Sequence, residues 1–243
     1  MPAAALSHWR DFRNIVLFTG AGLSAESGVP TYRGAGGIWR EYNYQDYACQ
    51  RAFDRDPVQV LDFHELRRAK ALNCAPHAGH AHIRAMQAGH PGVHVITQNI
   101  DGLLQRAGVA VAAELHGSLW RLRCPVHGMR EDLAAGAFAH RRCPDCVPDR
   151  APWLRPDITW FEDAVNEAVF EHAAMLVDDA ELFVGIGTSG AVWPAAGFAE
   201  RARRRGARMV EINPEDNEAS ALYGEHIRLP ASKALPEAFP IGG

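Results

Sequence analysis

Between Phe18 and Gly37 the chain reads FTGAGLSAESGVPTYRGAGG, and few folds can carry small residues in that order. Ile15, Val16, Leu17 and Phe18 in front of it have the composition of a buried strand, and Gly20, Gly22 and Ala25 then give the pattern G-x-G-x-x-A. Small side chains at that spacing let backbone N–H groups approach a pyrophosphate at a helix N-terminus. Taken alone, the pattern also suits a plain turn after a strand. The continuation narrows the choice. A dinucleotide-binding βαβ unit runs a long helix here and ends its second strand in an acidic residue about 20 residues on. In this chain Gly28 and Pro30 break the helix almost at once, and Gly34, Gly36 and Gly37 leave the backbone loose. Thr31, Tyr32 and Arg33 therefore ride on a lid beside the phosphate loop, with Arg33 placed to meet a phosphate or ribose when the lid closes.

With 243 residues, 47% of them hydrophobic and 22% charged, the chain can bury one good core plus a modest insertion. A formal charge of −4 and a pI near 6.3 provide no basic field, so nucleic acid is not expected as a partner. The basic run Arg201 to Arg205 reads as the solvated end of a helix. The N-terminal residues lack a basic segment followed by an apolar core, and no apolar run approaches the roughly 20 residues that cross a bilayer. These features predict a cytoplasmic protein with no membrane contact. Five cysteines, an odd number in such a compartment, point to metal binding rather than to disulfides.

Along the chain, residues 38–72 read as helical with a start at Asp56-Pro57, and a second helix covers about 76–87 with His77, His80 and His82 on different faces, in packing and surface roles. A strand over Val93–Thr97 runs into Gln98, Asn99, Ile100 and Asp101. A shorter strand over 112–115 delivers His116 ahead of Gly117. Further strands are predicted over 158–161, Leu182–Ile186, Arg208–Ile212 and 227–229, the third last of these ending in Gly187, Thr188, Ser189 and Gly190, and the next in Asn213. Polar or glycine turns at several strand ends are what a dinucleotide lying across a parallel sheet requires, since ligands of open α/β sheets bind at that edge. His116, delivered to that edge, is the candidate general base. Cys124, His127, Cys143 and Cys146 form C-x2-H, fifteen residues, C-x2-C, the spacing of a closed structural zinc site with three thiolates and one imidazole. The alternative is a metal-free insertion in which only the second pair keeps a role.

In their order, GAGLSAESGVPTYRG, TQNIDGL, ELHGS, the two metal knuckles, LRPDITWF, GIGTSG and EINP resemble the sirtuin family of NAD-dependent protein lysine deacylases, from about Ile15 to Phe239. The GAGG and LRPDITWF details are most similar to the bacterial and mitochondrial branch that removes acidic acyl groups. The resemblance implies an α/β fold, a Rossmann-like parallel sheet with a smaller inserted domain made of a helical module and a zinc-binding module. The large domain would comprise 9–37, 75–118 and 156–243, the helical module 38–74 and the zinc module 119–155. NAD would be held by Gly20, Ala21, Gly22, Ala25, Thr31, Arg33, Gln98, Gly187, Thr188, Ser189 and Asn213, with Asn99, Ile100 and Asp101 around the nicotinamide and its ribose. His116 would be the base, with Asn99 and Asp101 assisting it. The implied reaction yields nicotinamide, free lysine and O-acyl-ADP-ribose. The implied partners are acylated-lysine proteins or peptides; the sequence does not name the oligomeric state, and a monomer is expected.

By the same resemblance His64, Arg67, Ala35, Trp160 and Phe161 would contact the substrate. The departures are specific. His64 stands where the acidic-acyl branch has tyrosine, so His64 and Arg67, three apart on one helix, are expected to grip a terminal carboxylate together, with a preference for acidic acyl groups that weakens from about pH 6 to 8 as His64 loses its proton. Glu162 stands where the family has glycine, and Leu104 where it has histidine. A dehydrogenase is disfavoured by the missing acidic strand end, a non-catalytic NAD or ADP-ribose sensor by the presence of His116. Mono-ADP-ribosyl transfer would share the same cofactor chemistry.

Overall fold

A computed structural model of the chain describes residues 6–31 and 37–241. Its centre is β1 (Ile15–Thr19), buried at all five positions. Ile15 and Leu17 pack into one apolar cluster and Val16 and Phe18 into another on the opposite face. Alternate residues of a strand face opposite sides, so a strand covered on both sides must be apolar throughout, which is why IVLF shows no alternation.

From β1 the chain passes through α1 (Ala21–Ala25), then through the helices α2 (Tyr44–Tyr47), α3 (Gln50–Arg55) and α4 (Pro57–Leu72), and enters α5 (Ala78–Gly89). β2 (Val93–Thr97), α6 (Leu103–Arg106) and β3 (Val111–Glu114) follow. An antiparallel excursion holds β4 (Gly117–Cys124), β5 (Gly128–Glu131) and β6 (Arg155–Ile158), before α7 (Glu167–Asp178), β7 (Leu182–Ile186), α8 (Gly197–Arg204), β8 (Arg208–Ile212), β9 (Glu225–Ile227) and α9 (Ala231–Ala238). The large sheet is parallel, in the order β3-β2-β1-β7-β8-β9. Ile83, Met86 and Leu235 of α5 and α9 cover one face, while Ala173, Val177 and Phe198 of α7 and α8 cover the other. Strand order reverses between β1 and β7, and at such a switch point the loops leaving the carboxyl ends part to form a crevice.

The stretch expected to be helical over 38–72 is broken into short pieces, each with its own start. Asn43 caps α2 by accepting from the Gln45 N–H, and Asp56 caps α4 by accepting from the Gln59 N–H at 3.0 Å, with Pro57 in the first turn. One strand expectation is corrected. The strand predicted over 158–161 lies at Arg155–Ile158 and pairs antiparallel with β4 in a three-stranded sheet ordered β5-β4-β6, so the chain is still outside the large sheet at that point. The three histidines of α5 are not gathered on a metal. His77 caps the helix, and His82 Nε2 donates to the Phe239 carbonyl. The basic run Arg201 to Arg205 is the exposed end of α8, as expected, and Arg201 and Arg205 both grip the Asp178 carboxylate there, tying α8 to α7.

The helical module is bound to the small sheet through Arg68, whose side chain is fully buried. Its guanidinium donates to the carbonyls of Gly136, Leu119, Asp132 and Ala134 and to the Asp132 carboxylate at 2.8 Å, and it lies 4.5–4.8 Å from the ring centroids of Phe138 and Trp120. The Asp132 carboxylate in turn accepts from the Ala134 and Ala139 N–H groups, fixing the turn that carries those carbonyls. Removing one partner of a buried ion pair leaves an uncompensated charge, at about 3–5 kcal/mol. Arg68→Ala should therefore lower stability by about that amount in denaturant titration, and Arg68→Lys should recover only a minor part, because an ammonium cannot reach acceptors arranged around a planar fork. A loss below about 1 kcal/mol for Arg68→Ala would show that apolar packing alone joins the two modules.

Candidate functional site

The carboxyl ends of β1 and β7 interlock by backbone. The Gly22 N–H donates to the Gly187 carbonyl at 2.9 Å and the Gly20 N–H to Ile186. A Cβ on Gly20 would stand 2.7 Å from the Gly187 oxygen, and one on Gly22 2.7 Å from the Gly187 Cα. Gly187 itself has φ +60°, and a Cβ there would meet the Leu23 nitrogen at 2.4 Å. The glycines of G-x-G-x-x-A are thus demanded first by the contact between two loops. The turn they make opens α1 without a side-chain cap at its N-terminus, with Ala21 in the first turn and Ala25, exposed, closing the helix.

A polar network lies beside this turn. Thr19 and Thr97 hydroxyls bond across β1 and β2 at 2.8 Å, and Thr97 Oγ1 accepts from the Asn99 N–H. Asn99 Nδ2 donates to the Gly20 carbonyl at 2.9 Å and to the buried Ser24 hydroxyl at 3.2 Å. The Ser24 hydroxyl donates in turn to the Asp101 carboxylate, which also accepts from the Leu103 N–H at 2.8 Å. Burial pushes the Asp101 carboxyl up, against these bonds and the nearby Arg67 and Arg106 charges. The sequence reading did not single out Ser24. It is one small residue within a run of small residues, and only its partners distinguish it.

His116 follows β3, and its Nδ1 lies 3.1 Å from the Gln98 carbonyl. A carbonyl accepts only, so Nδ1 carries the proton and Nε2 keeps its lone pair. Burial lowers the His116 pKa, more than the Gln98 bond raises it. The ring is therefore neutral at pH 7 and poised to accept a proton at Nε2. Gly117 turns the chain immediately after it, with φ +77° and the Asp157 carbonyl where a Cβ would stand.

A narrow cleft of about 30 Å³ runs from this network to α4, with Asn99, Ile100 and Asp101 on one wall and Arg67 and Lys70 on the other. Arg33 and Ala35 lie outside the described residues. Thr31 is described, and its carbonyl accepts from the Ile38 N–H. His64 is a correction. Its side chain is fully buried, Nδ1 donates to the Val60 carbonyl at 2.8 Å and Nε2 accepts from the Trp160 indole N–H at 3.2 Å. Burial, with the Arg67 charge, pushes its pKa down to about 3. It offers no donor to a ligand and does not titrate between pH 6 and 8, so the expected pH trend in acyl preference has no source. Trp160 is likewise closed into the small-domain core, under the Arg155 guanidinium 4.0 Å away, whereas Phe161 remains accessible beside Tyr44. Glu162 keeps the backbone conformation that glycine would supply, at φ +74°. That conformation costs a non-glycine residue about 1–2 kcal/mol, offset here by the Arg51 ion pair at 2.6 Å and by Asp163, whose carboxylate accepts from the Trp160 N–H and binds Arg155.

At the far side of the switch point, Asn213 Nδ2 donates to the Thr188 carbonyl at 2.9 Å, joining the β8 and β7 loops, and the Ser189 hydroxyl accepts from the Ala191 N–H. Behind them stands Glu211, 1% exposed, whose carboxylate accepts from Asn217, Ser220, His226 and Arg228. Arg228 also binds Asp216 and reaches the Asn213 carbonyl, so the loop after β8 is held from within. The signal for Glu211 was present in the sequence as a carboxylate inside the apolar strand RMVEI.

Cys124, His127, Cys143 and Cys146 come together with all ligand atoms within 4.8 Å of one another. Cys124 and Cys146 sulfurs are 3.9 Å apart, and His127 Nδ1 lies 3.8, 3.5 and 3.4 Å from the sulfurs of Cys124, Cys143 and Cys146. A tetrahedron with Zn–S near 2.3 Å and Zn–N near 2.05 Å has edges of about 3.8 and 3.6 Å. The four atoms therefore fit zinc with His127 bound through Nδ1, and with four protein ligands the site is closed to substrate. Purified protein should carry one zinc per chain by metal analysis, and chelation should lower the melting temperature. Absence of metal, together with a melting curve unmoved by chelator, would mean that packing alone holds this module.

The Sir2 family profile matches residues 20–194, more than half of the chain. NAD-dependent protein deacylase 2 of Pyrobaculum aerophilum is 39% identical over 92% of this chain and 89% of its own length. The mitochondrial NAD-dependent protein deacylase sirtuin-5 of Canis lupus familiaris is 36% identical over 96% of this chain and 85% of its own length. Among solved structures, a mutant Sir2 homologue bound to ADP-ribose superposes with a TM-score of 0.87 at 31% identity, covering 94% of this chain and 91% of the other. A Sir2 homologue bound to NAD superposes with a TM-score of 0.85 at 30% identity, covering 97% and 94%. The parallel sheet with its interlocked glycine loops, the Asn99–Ser24–Asp101 network, the neutral His116 and the four-ligand metal cluster thus sit in a chain that belongs to the Sir2 family.

Proposed function

We propose that the chain is an NAD-dependent protein lysine deacylase that moves the acyl group of a modified lysine onto ADP-ribose, releasing nicotinamide. The observation that carries this reading is His116, kept neutral by burial and held with its proton on Nδ1 by the Gln98 carbonyl, at the sheet edge where β1, β2 and β7 end. NAD supplies the ribose carbon that receives the acyl oxygen and the hydroxyl that later attacks the acyl group. Gly20, Ala21, Gly22, Gly187, Thr188, Ser189 and Asn213 would hold its phosphates and adenosine, and Asn99, Ile100 and Asp101 the nicotinamide end. Asn99 is held by the Gly20 carbonyl and by Ser24, so its side chain enters a reaction already oriented. His116 accepts the ribose hydroxyl proton at Nε2. None of the five cysteines is in a disulfide, and no helix of the described residues is long and apolar enough to cross a membrane.

Acyl selectivity rests on Arg67, since His64 is turned away. A guanidinium on the cleft wall can take a terminal carboxylate through two parallel N–H bonds, so succinyl- and malonyl-lysine should be accepted beside acetyl-lysine. A hydrogen bond to a charged group contributes about 1.5–3 kcal/mol. Arg67→Met should then cut the succinyl-to-acetyl ratio of kcat/KM by about tenfold or more, and the wild-type ratio should stay flat from pH 6 to 8. An unchanged ratio in the variant would take Arg67 out of acyl recognition.

Incubation with NAD and an acyl-lysine peptide should yield nicotinamide, free lysine peptide and O-acyl-ADP-ribose by mass spectrometry. His116→Ala should reduce turnover by about two to four orders of magnitude while NAD binding persists. Because the base is active when neutral and burial lowers its pKa, the acid limb of the kcat/KM profile should lie below the ordinary histidine range, with activity retained at pH 6. A limb centred at or above pH 7 would contradict the buried, neutral ring.

A further inference from the structure

We propose that Arg121 is a positioning residue for His116, clamping the point at which the chain crosses from the large sheet into the small one. The assignment rests on the deacylase reading above and adds what holds the base in place. β3 ends at Glu114 and β4 begins at Gly117, so Leu115 and His116 are all that lie between the two sheets. A base set at such a crossing moves whenever one sheet tilts against the other. Among the described residues the ring makes one hydrogen bond, from Nδ1 to the Gln98 carbonyl. Its aim therefore depends on how firmly the backbone on either side of it is held.

Arg121 of β4 reaches back over this crossing. Its Nη1 donates to the Glu114 carboxylate at the end of β3, and its Nε donates to Asp157 of β6 at 2.7 Å. One guanidinium thus ties the edge strand of the large sheet to an edge strand of the small one. Both acceptors are fixed in turn. Gln105 of α6 donates to the other Glu114 oxygen at 2.8 Å, and the Arg123 guanidinium meets the second Asp157 oxygen at 2.6 Å. The side chains of Arg121, Glu114 and Asp157 are only 22%, 17% and 13% exposed. These pairs are therefore shielded, unlike the loose surface pairs that contribute little.

The ladder between β4 and β6 is distorted where this contact forms. Gly117 pairs with Ile158 and Leu122 with Pro156, which leaves Ser118, Leu119, Trp120 and Arg121 opposite the single residue Asp157. Extra residues on one strand bend it and re-aim its side chains. The backbone closes on the other side of the base. The Asp157 carbonyl lies 2.0 Å from where a Gly117 Cβ would stand, and the Thr159 N–H donates to the His116 carbonyl at 3.0 Å. The segment that receives Arg121 thus also carries the backbone contacts of His116 and Gly117. A shift of this segment against β3 would carry the imidazole with it, and a displacement of about 1 Å at a reacting group can slow a reaction about a hundredfold.

The test separates the two halves of the reaction, using the full chain and an acetyl-lysine peptide. Nicotinamide leaves before the ribose hydroxyl attacks, so the base is needed only afterwards. Arg121→Met should cut turnover by about ten- to a hundredfold, while exchange of labelled nicotinamide into NAD and the KM for NAD stay within about twofold. Arg121→Lys, which cannot span both carboxylates, should recover part of the loss. In a His116→Ala background Arg121→Met should change turnover by less than about twofold, because a clamp acting through the imidazole then has nothing to position. Glu114→Gln cuts the clamp from its other end and should show the same split even if Arg121→Met fails to fold. Turnover and exchange falling together, an undiminished loss in the His116→Ala background, or turnover within about twofold of wild type in Glu114→Gln overturns the assignment. Ring 15N shifts of His116, identified by their loss in His116→Ala, read the clamp without turnover. They should show one tautomer, protonated at Nδ1, in the wild type and a mixture in the clamp variants. If the wild type deacylates nothing, the deacylase reading fails; an unchanged 15N signature in the variants would remove the clamp independently.

Discussion

The structure turns on the contact between two loops that have no room for a single extra carbon. Gly20 and Gly22 after β1 lie against Gly187 after β7 closely enough that any Cβ would overlap backbone, the one kind of atom that cannot rotate away. Because β1 and β7 are the strands at which sheet order reverses, this contact sets the floor of the crevice. What surrounds it is arranged from there outward. Asn99 reaches back to the Gly20 carbonyl, Ser24 bridges Asn99 to Asp101, and Gln98 orients His116. Each polar group is held by a neighbour that is itself held, and preorganisation of this kind removes the cost of arranging dipoles during a reaction.

The second element, the small domain, is assembled on a different principle. Its core runs through both halves, with Phe53 and Leu61 of the helices packed with Leu119, Leu122 and Trp160, and ions join them as well. Arg68 fills a socket of carbonyls in the small sheet, and Arg141 returns the connection from the other side by binding Asp62 and Glu65 of α4. Directional contacts fix the angle between helix and sheet more sharply than apolar packing does. That angle matters because the same helix presents Arg67 and Lys70 to the cleft one residue before and two residues after Arg68.

Much of this was legible before any coordinates. The strands Leu182–Ile186 and Arg208–Ile212 are found where the sequence puts them, because strands buried on both faces are written as unbroken apolar runs. β6 was misplaced because Arg155-Pro156-Asp157 carries no such signal. It is an edge strand of a small sheet, where proline and charge are tolerated. His64 and Arg67 share a helical spacing, but the boundary between core and cleft falls between them, and spacing alone cannot locate that boundary. Arg68 could not be told from Arg67 by sequence, since a buried arginine is identified only by the carbonyls that converge on it. The metal ligands were legible in full, as their chemistry fixes both residue type and interval.

His64 and His80 share a property that the site chemistry does not use. Both are fully buried, and burial holds each pKa near 3, well below the ordinary histidine value of 6.5. Each therefore stays unprotonated in the folded chain and takes up a proton when the chain unfolds in weak acid. The stability these rings lend is complete above pH 6.5 and drains away as pH falls through the interval toward 3, with a slope of about 1.4 kcal/mol per pH unit for each proton taken up. His64 sits beneath Trp160 in the small domain and His80 in the first turns of α5 under the large sheet, so the two halves of the molecule meet the same acid limit. Acidification should therefore loosen both halves of the folded chain over one and the same pH interval.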